Sequence, residues 1–260
     1  MENFRTAKLV ALGAASTLLL QSLSLLPIGT LSSIQAVLPV NVLSAANAKQ
    51  TIRYTPPKRQ RAIKTAGTGS RGCEGFSNKV TLQLLVPNNH VGQTTKARPT
   101  LMAYLAGAPE AEVSLVQRGV PQPLYVSKVK PNAQGIVKVD IPEEVAGLEA
   151  GKDYRWSVAV VCNPNRRSAD VYAEAYIERV NVPETIEKQV SAATTDQVLG
   201  QAYAEAGIWY DTLEAVSQAS VNPSDNPSVK TDLSDLLNQV GISNLLENAS
   251  RFKRQSTDHS

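Results

Sequence analysis

The chain has 260 residues, 26 Lys and Arg against 23 Asp and Glu, a formal net charge of +3 and 42% hydrophobic residues. That length supplies a packed core for one good-sized domain and an accessory part. Two cysteines exclude a disulfide-rich miniature scaffold and a cysteine zinc finger, two histidines argue against a histidine metal site, and so small a net charge leaves no footprint for nucleic acid. Neither a metal nor a cofactor is expected.

Glu2, Arg5 and Lys8 open the chain, and no charged residue occurs from Leu9 to Ala48. Leu9–Leu26 reads as an apolar helix that Pro27 and Gly29 interrupt, and the small-residue site Ala46-Asn47-Ala48 precedes Lys49. Basic start, apolar middle and small-residue end are the three parts of an export signal, so residues 1–48 are expected to be a leader cleaved after Ala48. Its length leaves an uncleaved membrane anchor as the competitor, with a buried internal helix behind it. Either leading reading puts residues 49–260 outside the cytoplasmic membrane, periplasmic or extracellular, and membrane-anchored if the leader stays. In an oxidising compartment Cys73 and Cys162 are expected to pair, with two buried thiols as the alternative.

Residues 49–72 carry Lys49, Arg53, Lys58, Arg59, Arg61, Lys64 and Arg71 without an acid, together with Pro56-Pro57 and a Gly/Ser-rich end. They read as a basic linker; contact with an anionic membrane surface is the functional alternative. Gly67–Gly72 lacks the G-K-[ST] ending of a phosphate loop, which excludes that reading.

Strand patterns then follow one another from Lys79 to Val180. Val80, Leu82, Leu84 and Val86 alternate with polar residues up to Pro87-Asn88-Asn89. Thr100–Leu105, Val113–Gln117, Leu124–Val129 and Val137–Ile141 come next, separated by turn residues. Tyr154, Trp156, Val158, Val160 and Cys162 share one strand face, and Asp170–Val180 follows the Asn163-Pro164-Asn165 turn. Short strands at this spacing predict a mainly β fold over residues 73–182, an antiparallel Ig-like β-sandwich in architecture.

Past Pro183 the apolar period changes to that of a helix, with helices expected at Glu184–Ala193, Thr195–Ala206, Ile208–Ala219 and Val229–Val240. Leu199, Gly200, Tyr203, Val216, Ala219 and Pro223 approach tetratricopeptide spacing, so 183–247 reads as a small tetratricopeptide-like α-helical segment. One such unit cannot bury its apolar face alone, and it must pack on the sandwich, a following helix or a partner. Residues 248–260 read as a disordered polar tail.

Several strings carry a family resemblance: Gly69-Ser70-Arg71-Gly72-Cys73, Leu85-Val86-Pro87, Arg98-Pro99-Thr100, Tyr154-Arg155-Trp156, Cys162-Asn163-Pro164, Arg167-Ser168-Ala169-Asp170, Ile177-Glu178-Arg179 and, most specifically, Ala204–Asp211. Together, over nearly all of residues 53–241, they resemble the cyanobacterial family called domain of unknown function 928. The resemblance implies an exported cyanobacterial protein and supplies no activity or catalytic residues. Leu101, Met102 and Ala103 stand where that family commonly has an aromatic pair.

Period 2 places Asp170, Tyr172, Glu174, Tyr176 and Glu178 on one face of the last strand and Val171, Ala173, Ala175 and Ile177 on the other. Such a stripe suits a sugar or peptide; an ordinary solvated sheet face is the plainer reading. Arg155, Arg167 and Arg179 are the expected ion-pair partners of its carboxylates. Trp209 and Tyr210 read as helical core, or else as a partner-binding groove, and His90 as a loop residue. No G-x-S-x-G, H-E-x-x-H or C-x-x-C occurs. The expected function is non-catalytic, an exported envelope module binding a protein or glycan through Tyr172, Glu174, Tyr176 and Glu178 or through Trp209 and Tyr210. The alternatives are a carbohydrate-active hydrolase using Glu174 and Glu178, and a membrane-tethered structural envelope protein.

Overall fold

The computed structural model describes residues 51–58, 73, 80–131, 135–221 and 228–242. The leader 1–48, most of the basic linker and the tail 248–260 lie outside the described residues. Among the described residues, no helix is long and apolar enough to cross a membrane.

The chain is mainly β, with two sheets and four helices. Its strands are β1 (Thr81–Leu84), β2 (Gly92–Thr94), β3 (Thr100–Ala106), β4 (Ala111–Gln117), β5 (Tyr125–Val129), β6 (Gly135–Asp140), β7 (Asp153–Val160) and β8 (Val171–Arg179). One sheet has the order β1-β3-β6 and the other β2-β8-β7-β4-β5. Every strand expected from alternation is present, with ends shifted by a residue or two. The addition is β2, which runs parallel to β8 with Gln93 opposite Glu178, so the pairing is not antiparallel throughout. Three residues beginning with glycine are too few to show a period; β2 is held by the edge of β8 rather than by its own pattern.

Alternation sets the inner faces. Val113 and Leu115 of β4, Tyr154, Trp156 and Val158 of β7, and Val171, Ala173 and Ile177 of β8 are buried in one core with Leu82, Leu84, Leu101 and Leu105 of the smaller sheet. In β3 the residues Thr100–Leu105 are buried on both faces, which is why this strand reads as a continuous apolar run. A disulfide joins Cys73 to Cys162, with a Cα–Cα distance of 5.1 Å.

The helices are α1 (Glu184–Ala192), α2 (Asp196–Ala206), α3 (Trp209–Val221) and α4 (Ser228–Gln239), close to the expected spans. Thr195 caps α2, its Oγ1 accepting from the Val198 N–H at 3.3 Å. Gly200 of α2 lies against Val216 of α3, where an added Cβ would meet Cγ2 at 3.2 Å. Trp209, Tyr210, Leu213 and Val216 of α3 and Leu236 and Leu237 of α4 join the same core as the strands. Helices α3 and α4 therefore dock on the sheets, whereas Ile186 of α1 packs in a second, smaller cluster with Tyr203 and Ile208.

The linker reading fails at residues 51–57. Ile52 and Tyr54 are buried while Arg53 and Thr55 are exposed, an alternation hidden in a basic stretch. This strap is fixed at both edges: the Tyr54 N–H donates to Gln239 Oε1 at 2.9 Å, Gln239 Nε2 donates to the Ile52 carbonyl at 2.8 Å, and the Thr55 N–H donates to the Ala204 carbonyl at 2.9 Å. Gly207, at φ +78°, ends α2 where the strap crosses it; a Cβ there would lie 2.7 Å from the Thr55 carbonyl oxygen. Glycine is needed for both the conformation and the space.

Candidate functional site

The outward face of the five-stranded sheet gathers the polar stripe into a two-dimensional surface. Cross-strand register sets Tyr172 opposite Ala159, Glu174 opposite Ser157, Tyr176 opposite Arg155 and Glu178 opposite Asp153. Farther across, Ser114 stands opposite Ser157, Val116 opposite Arg155, and Val126 opposite Ser114. Tyr172 is 37% and Val126 50% exposed, whereas Glu174, Tyr176 and Glu178 are half-buried.

Several polar groups on this face are held by partners. The Tyr172 hydroxyl donates to Glu174 Oε2 at 2.6 Å, and Arg155 Nη1 lies 3.2 Å from the same oxygen. Ser114 Oγ and Ser157 Oγ are 2.8 Å apart. Gln93 Nε2 donates to Glu178 Oε2 at 3.2 Å, so β2 anchors the far end of the stripe. Arg167 binds Asp170 at 2.6 Å and reaches Glu112 at 3.5 Å. Arg179 is not the partner of Glu178: it donates to the carbonyls of Leu148 and Thr95. Burial, aided by the hydrogen bond to Glu174, pushes the Tyr172 phenol above its ordinary value; it stays protonated and a donor at neutral pH.

At one end of the face an open depression of about 610 Å³ is lined by Val116, Arg118, Val120, Pro121, Arg155 and Tyr176 among others. Val120 is exposed, and Arg118 Nη1 lies 3.6 Å from Asp153 Oδ2 at the rim. Tyr176 and Arg155 belong to both the depression and the stripe. Sequence reasoning missed Val116, Arg118 and Val120, because they come from β4 and the turn after it and meet Tyr176 only through register. The turn Arg118-Gly119-Val120-Pro121 does carry a signal, an apolar residue beside a charge in a tight turn.

Trp209 and Tyr210 lie elsewhere. They are 0% and 1% exposed, and their polar atoms are used internally: Trp209 Nε1 donates to the Leu85 carbonyl at 2.9 Å, and the Tyr210 hydroxyl accepts from Trp156 Nε1 at 2.7 Å. Two whole aromatic side chains are thereby removed from water, about 150–250 Å² each, and neither offers a face to a partner. Close approach of α3 to the sheet requires Gly92, where a Cβ would lie 2.7 Å from Tyr210 Cε2. Next in the chain, buried Asp211 accepts from the Thr95 N–H at 3.0 Å and from the Thr95 hydroxyl at 2.8 Å. Burial raises its carboxyl above the ordinary range, and the hydrogen bonds from Thr94 and Thr95 oppose that. The string Ala204–Asp211 thus joins α2, the strap, α3 and both sheets.

His90 is more than a loop residue. It is 3% exposed, its Nε2 lies 2.7 Å from the Tyr54 hydroxyl and its Nδ1 lies 2.7 Å from Asn89 Oδ1. The Tyr54 hydroxyl also reaches the Gly207 carbonyl at 3.2 Å, and its ring packs edge-on against Trp209. Burial lowers the imidazole below its ordinary pKa. This cluster ties strap, sheet and helices together. Among the described residues there is no group of three or more His, Cys, Asp or Glu able to hold a metal.

No curated protein matches the chain. A family model described as Domain of Unknown Function (DUF928) matches residues 66–250, well over half the sequence and the whole of both sheets and all four helices. The chain belongs to the DUF928 family.

Proposed function

We propose that this protein is an exported, non-catalytic module of the cell envelope, and that it binds a protein or glycan partner through the outward face of the five-stranded sheet. The observation that carries the reading is the continuity of the Tyr172–Glu178 stripe with the depression through Tyr176 and Arg155. Concave, partly apolar surfaces with a few fixed polar groups are where ligands bind. The disulfide favours an oxidising compartment, in keeping with the export signal and with an exported cyanobacterial origin. In architecture we read an Ig-like β-sandwich whose tetratricopeptide-like helices close one side of the core rather than offering a groove. Engagement of Glu174 by Tyr172 and Arg155, and of Glu178 by Gln93, favours ligand positioning over glycoside cleavage.

The test has two parts. Intact mass of native protein from the envelope fraction, taken after capping free thiols, is expected to begin at Lys49 with no capped thiol. Purified mature protein is expected to sediment with isolated envelopes, and a Tyr172→Ala/Tyr176→Ala double variant of equal stability is expected to stay in solution. A full-length, thiol-capped species, or equal sedimentation of the variant, overturns the reading.

A further inference from the structure

We infer that the ligand of this sheet face is an uncharged glycan, its sugar ring lying on Tyr176 at the mouth of the depression; the inference rests on the binding-face reading above. Three observations lead to it. Most charges of the face are already matched from within: Arg118 with Asp153 at 3.6 Å, Arg155 with Glu174 at 3.2 Å and Arg167 with Asp170 at 2.6 Å, while Lys128 lies 3.3 Å from Glu110 and Glu178 is held by the neutral amide of Gln93. A polyanion would have to displace carboxylates from these guanidinium groups and a polycation the reverse, so neither meets a complementary field.

These groups also suit hydroxyls. Each ion pair is partly open to water, and a carboxylate or guanidinium holding one partner keeps further lone pairs or N–H groups free. A hydroxyl both donates and accepts, so a sugar can bridge the Arg155–Glu174 pair without breaking it. Ser114 and Ser157, 2.8 Å apart in the adjoining row, add uncharged hydrogen-bonding groups to this surface.

Aromatic placement completes the case. Tyr172 and Tyr176 lie on the same face of β8, about 13 Å apart at the rise of a strand, and the apolar side chains of Val116 and Val120 line the same depression as Tyr176, with Arg155 between Val116 and the ring. The C–H faces of a pyranose ring need an aromatic or aliphatic floor flanked by hydrogen-bonding groups, which is what this surface offers. A protein interface would instead be expected to bury a central apolar cluster, and here ion pairs run through the middle of the face.

Affinity electrophoresis of the disulfide-intact mature protein tests this, through gels containing dextran, xylan, mannan or cello-oligosaccharides, and in parallel alginate and chitosan. Retardation by at least one neutral glycan is expected, changing less than about twofold between low and high salt, since screening acts on charge–charge attraction. Tyr176→Ala should weaken it about tenfold or more, and Tyr176→Phe should keep most of it, which separates ring stacking from a folding defect. Retardation only by alginate or chitosan, fading with salt, overturns the neutral ligand while leaving the face as a binding site. No retardation by any glycan, with Tyr172 and Tyr176 still required for envelope sedimentation, overturns the glycan in favour of a protein partner. Loss of neither activity in the tyrosine variants overturns both readings.

Discussion

The indole Nε1 of Trp156, on β7, donates to the hydroxyl of Tyr210, on α3, at 2.7 Å, and both side chains are buried. This bond couples the larger sheet to the helices at the centre of the core. Tyr210→Phe keeps the ring and leaves the indole N–H without its acceptor, at an expected cost of about 1–3 kcal/mol. Removing both partners with Trp156→Phe in the same chain should cost less than the sum of the two single changes, because no unpaired donor remains. Urea unfolding of the four species checks this.

His90 makes stability depend on mild acid. Its folded pKa is lowered by burial, so at a pH below its ordinary value of 6.5 the unfolded chain binds the proton more readily than the folded one. The stabilisation is complete above that value and is lost as pH falls through it towards the folded pKa. Unfolding free energy should therefore decline from pH 7 to pH 5.5, and His90→Gln should flatten the decline even if it lowers stability at neutral pH. A slope unchanged by the substitution would show that another group is responsible.

The strap is part of the fold. Tyr54 fills the junction of His90, Gly207 and Trp209, and Tyr54→Ala should cost about 3–5 kcal/mol, as for other large buried side chains. A chain starting at Lys49 should match the stability of longer forms, whereas one starting at Lys58 should lose the contribution of Ile52 and Tyr54. Thermal unfolding of the two truncations distinguishes them.

Reduction should weaken the protein without changing its pattern of strands. The Cys73–Cys162 bridge spans a sequence separation of 89, worth up to about 4–5 kcal/mol in the chain-entropy model and commonly less. The Cys73→Ser/Cys162→Ser variant is expected to unfold at lower urea with an unchanged far-ultraviolet spectrum.

Much of this architecture was legible in the residues because alternation is a local signal. Val171, Ala173, Ala175 and Ile177 turn inward and Tyr172, Glu174 and Tyr176 outward as period 2 requires. What stayed hidden depends on contacts distant in the chain. β2 exists only because β8 offers an edge; Ile52 and Tyr54 alternate within a stretch dominated by charge; His90 becomes buried only when the strap and α3 close over it. Arg179 sits next to Glu178 in sequence, yet strand geometry sends it to the carbonyls of Thr95 and Leu148. The stripe could be read from the chain, whereas the depression beside it required the register of β4 against β7.

The claim that the outward sheet face is the binding surface is tested most directly by photo-crosslinking in the living cell. A photoreactive phenylalanine derivative, which keeps the aromatic ring, is placed singly at Tyr172, at Tyr176 and, as a control, at exposed Gln189 on α1. The account predicts discrete adducts from positions 172 and 176 and none from 189. Adducts from 189 alone, or no adduct from either sheet position in a correctly exported and oxidised protein, would contradict it.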